Sequence, residues 1–176
     1  PVRSWHQPLT PWLYVVHALM SGALLLHLML APVSNGWQAA VWLALILLVA
    51  AGVADVAWRR QGAAGERPTI GDATGLGAGQ RVRLVEPPHT QTNYLLDEMG
   101  YRVGRKHARR LRLIAQVLLA VAGLLTVVAL GLGDLVASLA ALLAVFAGLT
   151  ATAVGRWLFF AEATHTVTLY YGSEGD

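Results

Sequence analysis

The stretch from Trp12 to Ala31, WLYVVHALMSGALLLHLMLA, contains no aspartate, glutamate, lysine or arginine. A helix of about 20 predominantly apolar residues is long enough to cross the hydrocarbon core of a bilayer. Three further stretches of this kind lie at 37–58, 113–132 and 135–160. The sequence therefore predicts an all-α fold, a polytopic transmembrane helix bundle of about four spanning helices.

The composition of the 176-residue chain supports this prediction. Hydrophobic residues make up 56% of the chain and charged residues only 13%, whereas charged residues are about 25% of an ordinary soluble domain. These values argue against a soluble globular enzyme and against a disordered chain. The chain has no cysteine, which excludes disulfides, cysteine-ligated iron–sulfur clusters, thiolate zinc sites and cysteine nucleophiles.

The four apolar stretches are joined by connections of unequal length. Residues 32–36 and Gly133–Asp134 form short turns, and short turns place consecutive helices side by side and antiparallel. A long polar segment joins the two resulting hairpins. We therefore expect a first transmembrane hairpin at 1–58, a basic loop at 59–112, a second transmembrane hairpin at 113–165 and a tail at 166–176.

The polar segment 59–112 carries most of the positive charge. Eleven of the thirteen cations lie there with only five carboxylates, so the segment has a net charge of +6 and the rest of the chain −3. Loops rich in lysine and arginine stay on the cytoplasmic side of the membrane. The loop and both termini are thus predicted to be cytoplasmic, and the two short turns to lie outside.

Two parts of the basic loop have recognisable patterns. Asn93–Arg112 is predicted to be an amphipathic helix, because it has an N-cap residue, acidic residues early and basic residues late. The glycine-rich run Gly71–Gly79 is predicted to be a flexible linker, since no strand precedes it as a phosphate-binding loop requires. Nucleic-acid binding is not expected, because only Tyr94 and Tyr101 are placed to stack on bases.

Small residues recur every four positions in the last apolar stretch. Such spacing lets helix backbones approach closely in lipid, so this helix is predicted to lie between other helices. Ala18 and Gly22 have the same spacing on the first helix. The residues of the last helix are Ala140, Ala144, Gly148 and Thr152, with a second file of Ala147, Ala151 and Gly155.

It costs free energy to place titratable residues within a membrane span, so such residues are candidates for a function. His17 and His27 are candidate quinone contacts, because a neutral imidazole at that depth can bond a quinone carbonyl and pass on a proton. His27 has an alternative role, contact with interfacial water. The candidates for proton relay are Asp55, Glu162 and His165. Each candidate also has a simpler interpretation. Asp55 is then only the ion-pair partner of Arg59, and Glu162 and His165 only mark the point where the last helix leaves the membrane.

A haem-b site needs two axial histidines at similar depth in the membrane. His17 and His27 are ten residues apart on one helix, a rise of about 15 Å, so they cannot share one iron. The pair at similar depth is His17 with His165, and a haem-b site rests on that pair alone. No nucleophile–base pair supports a hydrolytic reaction.

An ordered set of residues covers nearly the whole chain and resembles a known family. The set comprises Arg3-Ser-Trp5-His6-Gln-Pro8-Leu9-Thr with Ser21-Gly22-Ala-Leu-Leu-Leu, a loop element from Pro88-His89-Thr90 through Asn93-Tyr94 to Leu111-Arg112, and Arg156-Trp157-Leu-Phe-Phe-Ala-Glu162-Ala-Thr-His165. Together these residues resemble the membrane-anchor subunit of dimethyl sulfoxide reductase-type enzymes.

The resemblance implies an integral membrane subunit of roughly eight helices without haem or an iron–sulfur cluster of its own. It implies anchoring of an iron–sulfur subunit and a molybdopterin catalytic subunit, and electron exchange with menaquinone or ubiquinone. This chain, with about four helices, resembles the C-terminal half, whereas the family's quinone site is associated mainly with the N-terminal half. In some members the catalytic subunits lie on the outer side of the membrane, and the central loop would then lie there too. In this chain the positive charge of the loop favours the cytoplasmic side instead.

We therefore expect a non-catalytic membrane-anchor and quinone-linked electron-transfer subunit of a molybdopterin/iron–sulfur oxidoreductase complex in a bacterial-type inner membrane. The alternatives are a haem-b cytochrome subunit and a non-redox scaffold whose basic loop binds anionic lipid. Basic side chains that pair with carboxylates of the iron–sulfur partner would fix its docking. These docking candidates are His89, Arg102, Arg105, Lys106, His107, Arg109 and Arg110.

Overall fold

A computed structural model of the chain describes residues 2, 5–32, 37–64, 69–76, 82–83, 85–86, 102–131, 134–163 and 169. Within these ranges the fold is all-α. The helices are α1 (Leu9–Leu30), α2 (Trp37–Ala64), α3 (Ile70–Thr74), α4 (Arg102–Ala129) and α5 (Asp134–Ala161). All but the short α3 are long and apolar enough to cross a membrane. The prediction of a polytopic helix bundle with four spanning helices is confirmed.

Two helices extend further into the basic segment than the hydropathy pattern predicts. Helix α2 continues to Ala64, and α4 is unbroken from Arg102 to Ala129. The described part of the predicted amphipathic helix Asn93–Arg112 is therefore the first part of α4 and not a separate element, and residues 93–101 lie outside the described residues. Arginine, alanine and leucine are all good helix formers, so the change from charged to apolar side chains does not interrupt the backbone.

The four long helices form a ring. Helix α1 packs against α2, α2 against α4, α4 against α5, and α5 against α1. One end of this ring, which we name the basic end, is where α1 and α4 begin and α2 and α5 end. At the other end, which we name the turn end, α1 and α4 end and α2 and α5 begin. Large apolar side chains cover the outside of all four helices, as expected for a surface in contact with lipid.

Helix α5 lies between two other helices, as its small residues predict. Ala144 and Ala151 are buried, and a Cβ atom on Gly148 would lie 2.5 Å from Leu24 Cδ1 of α1 and 3.9 Å from Ala122 Cβ of α4. Ala18 and Gly22 of α1 are exposed instead, so they make no such contact between described helices. The inward face of α1 consists of Leu13, His17, Met20, Ala23, Leu24 and His27.

The glycine-rich run begins with a helix and not with a linker. The Thr69 hydroxyl accepts a hydrogen bond from the backbone of Asp72, and the Asp72 carboxylate accepts one from the backbone of Thr69. This reciprocal pair is a capping box, and it starts α3. Gly75, with φ of 73°, ends the helix in the left-handed conformation that glycine adopts without strain.

Aromatic side chains gather at the basic end. The Trp5 ring stacks on Phe159 with centroids 5.4 Å apart, and its indole N–H donates to the Phe159 carbonyl at 3.2 Å. Trp58 packs on the same Phe159 ring and donates to the Thr10 hydroxyl at 3.0 Å. These contacts tie the chain before α1 to α2 and α5, which fixes the end of the ring next to the candidate site.

Candidate functional site

One polar side chain from each long helix meets inside the ring, in a cluster that we name the polar junction. It consists of His17 of α1, Asp55 of α2, Gln116 of α4 and Arg156 of α5. The Asp55 carboxylate is its centre: Oδ2 lies 3.6 Å from His17 Nε2 and 3.5 Å from Gln116 Nε2, and Oδ1 lies 3.5 Å from an Arg156 nitrogen. His17 and Asp55 are both buried.

His17 is held in one orientation by its own helix. Its Nδ1 lies 2.9 Å from the carbonyl oxygen of Leu13. A carbonyl oxygen only accepts hydrogen bonds, so Nδ1 carries a hydrogen and donates it. The other ring nitrogen, Nε2, is thereby directed at Asp55 across the interface between α1 and α2.

Arg156 lies between aromatic rings and the Asp55 carboxylate. Its guanidinium carbon is 4.8 Å from the centre of the Tyr14 ring and 5.7 Å from that of Phe159. Such cation–π contacts stabilise a cation that has been removed from water. Its Nε and NH1 atoms are buried without a hydrogen-bond partner in the part of the chain that the structure describes. The junction thus contains unused donors directed at a protein interior.

The contacts of Asp55 differ from the local pairing that the sequence suggests. The side chains that approach its carboxylate come from α1, α4 and α5, whereas Arg59 lies one turn nearer the basic end. Arg59 is within electrostatic range of Asp55, Arg112 and Glu162. The reason for the difference is rotational: Asp55 faces the interior of the ring, where the other helices supply partners. Its role as a proton relay stays a prediction.

His27 lies nearer the turn end than the polar junction and is fully enclosed. Its side chain has 0% exposure, and neither ring nitrogen has a hydrogen-bond partner among the described residues. The alternative role in contact with interfacial water does not fit this burial, because α1 directs His27 into the ring together with Leu24. A buried imidazole whose nitrogens have no hydrogen-bond partner destabilises the fold. The role of His27 as a quinone contact stays a prediction.

Glu162, just after α5, forms an ion pair with Arg112 of α4. Arg112 approaches both carboxylate oxygens, and its Nε lies 3.3 Å from Oε2. Two-point contact of this kind is geometrically specific, so the pair joins α4 to the end of α5. His165, the other relay candidate in this segment, lies outside the described residues.

The structure divides the docking candidates into two groups. Arg105 points toward α5 and donates to the carbonyls of Ala161 and Ala163, at 3.1 and 2.9 Å. It thereby caps the end of α5, whose last carbonyls have no partner within the helix. Lys106, Arg109 and Arg110 are exposed, and His107 is partly exposed. Arg102 begins α4, but its side chain and the whole of His89 lie outside the described residues.

The haem alternative finds no support in the geometry of His17. Both of its ring nitrogens are engaged, one by the Leu13 carbonyl and the other by Asp55. An iron ligand would have to give up one of these contacts. His165, the second ligand of that hypothesis, is outside the described residues.

Sequence reasoning missed two members of the polar junction. Gln116 is a lone amide in the apolar part of α4, and Arg156 is a single charge near the end of the last span. Each is a polar residue inside a stretch that should be apolar, and that property is the signal that could have found both. Their convergence on Asp55 could not be derived, because it depends on the rotation and depth of four helices.

The fold and the polar junction define a polytopic helical membrane protein with a lipid-facing exterior and a small charged interior. A family model described as DMSO reductase anchor subunit (DmsC) matches residues 1–172, nearly the whole chain. The chain therefore belongs to the DMSO reductase anchor subunit family. Neither the curated proteins nor the solved structures contain a match to it. The family membership and the four spans establish an integral membrane protein of the anchor-subunit type.

Proposed function

We propose that this chain is the membrane-anchor and quinone-linked electron-transfer subunit of a molybdopterin/iron–sulfur oxidoreductase complex in a bacterial-type inner membrane. The family match over residues 1–172 carries the proposal. The chain holds the complex at the membrane, and electrons pass between a quinone among the helices and the nearest cluster of the iron–sulfur subunit. The chemistry of the terminal substrate belongs to the molybdopterin subunit.

Purification of the complex from native membranes tests this proposal. We expect the chain to co-purify with subunits that give iron–sulfur EPR signals and contain molybdenum or tungsten, and to show quinol-dependent reduction of those clusters. A haem absorption band that belongs to this chain would overturn the proposal in favour of a cytochrome. A complex without metal-containing partners would overturn it in favour of a scaffold.

The docking surface for the iron–sulfur partner is the exposed side of the first turns of α4. Lys106, Arg109 and Arg110 are exposed in the first turns of α4, at the basic end of the bundle. A positive surface of this kind sets the orientation and rate of encounter with an acidic partner. Arg105 is excluded from this surface, because its guanidinium caps α5. The loop and this surface are cytoplasmic in the proposed orientation.

Reversal of the docking charges is expected to release the partner. In Lys106→Glu/Arg109→Glu we expect retention of the iron–sulfur subunit on membranes to weaken at least about tenfold, which corresponds to about 1.4 kcal/mol. The chain itself should remain inserted, because both side chains are exposed. Retention is measured by quantitative immunoblotting of washed membranes at several salt concentrations.

The control for this variant is Arg60→Glu/Arg83→Glu, which makes the same change of charge at two exposed positions outside α4. It should retain the partner. Equal loss of the partner in both variants would show a general effect of loop charge and would refute a docking surface on α4.

His27→Leu separates the quinone role from a packing role. Because the buried ring nitrogens of His27 have no partner among the described residues, their replacement by an apolar side chain should leave stability unchanged or raise it by about 1 kcal/mol. If His27 contacts the quinone, quinol turnover falls while assembly persists. Both quantities are measured on the purified complex, by thermal unfolding in detergent and by steady-state quinol oxidation.

His6→Leu is the matched control, since His6 is exposed before α1. It should alter neither stability nor turnover. Normal turnover in His27→Leu would remove His27 from the quinone site.

A further inference from the structure

The contact between His17 and Asp55 joins two atoms, Nε2 and Oδ2. Without a proton between them, both atoms would be hydrogen-bond acceptors. Nδ1 of His17 donates its hydrogen to the Leu13 carbonyl at 2.9 Å. In a neutral imidazole the other nitrogen, Nε2, then has only a lone pair. That lone pair faces Asp55 Oδ2 at 3.6 Å. A lone pair and an ionised carboxylate repel each other, and in a buried site no solvent lies between them to weaken the repulsion.

The contacts of Asp55 indicate which partner carries the additional proton. Gln116 directs its amide nitrogen at Oδ2, and Arg156 directs a guanidinium nitrogen at Oδ1, each at 3.5 Å. Both oxygens therefore face donors, which is the environment of an ionised carboxylate. The additional proton then lies on His17 Nε2, and the imidazolium becomes a second cation beside Asp55.

The remaining charged groups around the pair come from α2, α4 and α5. Helix α2 adds Arg59 on the side of the basic end, and the Arg112–Glu162 ion pair joins α4 to the end of α5. Helix α5 contributes Arg156, whose ring contacts with Tyr14 and Phe159 stabilise its charge in addition to the carboxylate. Asp55 thus has one oxygen available for Arg156 and one for His17 and Gln116.

We propose that His17 and Asp55 form a proton-binding site inside the membrane span, in which one exchangeable proton bridges Nε2 and Oδ2. Gln116 and Arg156 are positioning residues that hold the carboxylate ionised and oriented. The site binds its proton whether or not a quinone is present. Its service as proton donor or acceptor to a quinone rests on the proposed function.

Nitrogen NMR of the full chain, labelled with ¹⁵N-histidine in lipid nanodiscs, tests the site directly. We expect a resonance that disappears in His17→Gln and that reports hydrogens on both ring nitrogens. Asp55→Asn is the decisive variant, because the asparagine amide can donate to Nε2 without an additional proton. In Asp55→Asn the Nε2 hydrogen signal should be lost while the fold is retained. His27, which has no carboxylate contact among the described residues, should give an unchanged signal.

Infrared spectra of the same samples cover the other protonation state. A carboxylic acid band that is present in the unaltered protein and absent in Asp55→Asn would place the bridging proton on Asp55. It would support a shared proton at this pair and would overturn the role of Gln116 and Arg156 in keeping the carboxylate ionised. A His17 resonance with hydrogen on Nδ1 alone, together with an ionised Asp55, would overturn the site.

The assembled complex distinguishes this site from the proposed function. A complex without quinol turnover would refute the function and leave the NMR result intact. If the NMR result is as expected, turnover in Asp55→Asn should fall at least about tenfold. Turnover equal to that of the unaltered complex would show that the proton of this site takes no part in the quinone reaction.

Discussion

Replacement of Asp55 by alanine is expected to destabilise the bundle by about 3–5 kcal/mol, because it leaves buried cations without their carboxylate. Asp55 is 7% exposed and is approached by side chains from α1, α4 and α5. Its loss removes the only described group to which Arg156 donates a hydrogen bond. The measurement is the free energy of unfolding in mixed micelles, titrated with denaturing detergent.

Glu86→Ala is the control for the Asp55 variant. Glu86 is exposed in the loop, so its loss should change stability by no more than about 0.5 kcal/mol. A second comparison is the triple variant His17→Leu/Asp55→Leu/Arg156→Leu. It should recover most of the lost stability, since buried ionic groups replaced together by apolar side chains are often neutral. Equal stability of Asp55→Ala and Glu86→Ala would contradict the central role of this carboxylate.

Replacement of Gly148 by valine is expected to separate α5 from α1. Even a single Cβ atom would lie 2.5 Å from Leu24 Cδ1, and Leu24 is fully buried. Overpacking of this kind typically costs about 1–3 kcal/mol. We expect the upper end of that range, because a β-branched side chain at this crossing has α1 on one side and α4 on the other. The change is measured as a lower unfolding midpoint in detergent.

Two comparisons make the Gly148 prediction specific to this contact. Gly155→Val changes the same residue type on the same helix, at a position where no described atom lies within 4 Å of a new Cβ, and it should have a small effect. Leu24→Ala combined with Gly148→Val should be more stable than Gly148→Val alone, because the smaller side chain makes room. An equal loss in Gly148→Val and Gly155→Val would contradict an effect specific to the contact between α5 and α1, because helix propensity alone favours valine over glycine at both positions.

The spanning helices were accessible to sequence reasoning because lipid imposes a simple rule on composition. The stretch from Trp12 to Ala31 needs no tertiary information to be recognised as a span. The ends of the helices are harder to predict from the sequence. Hydropathy placed the start of the third span at Leu113, whereas the helix starts at Arg102. Hydropathy reports where a side chain prefers to be, and backbone hydrogen bonding continues through arginines as readily as through leucines.

The candidate site was only partly accessible for a related reason. His17 and Asp55 were recognised because each is a titratable group in an apolar stretch. Their contact, and the participation of Gln116 and Arg156, depends on which faces of four helices turn inward. A single sequence leaves that rotation open, since apolar residues surround each helix on all sides and the pattern has no polar face to serve as a reference.

Because α4 is one unbroken helix, it connects the surface at the basic end rigidly to the interior of the bundle. Lys106 on the proposed docking surface and Gln116 in the polar junction are ten residues apart on this helix, an axial distance of about 15 Å. Between these two residues, the Arg112–Glu162 ion pair joins α4 to the end of α5. If the proposed partner tilts the exposed end of α4 on binding, it also moves the amide beside Asp55. Binding at the proposed docking surface and protonation at the proposed proton-binding site would then be coupled, so that each changes the equilibrium of the other.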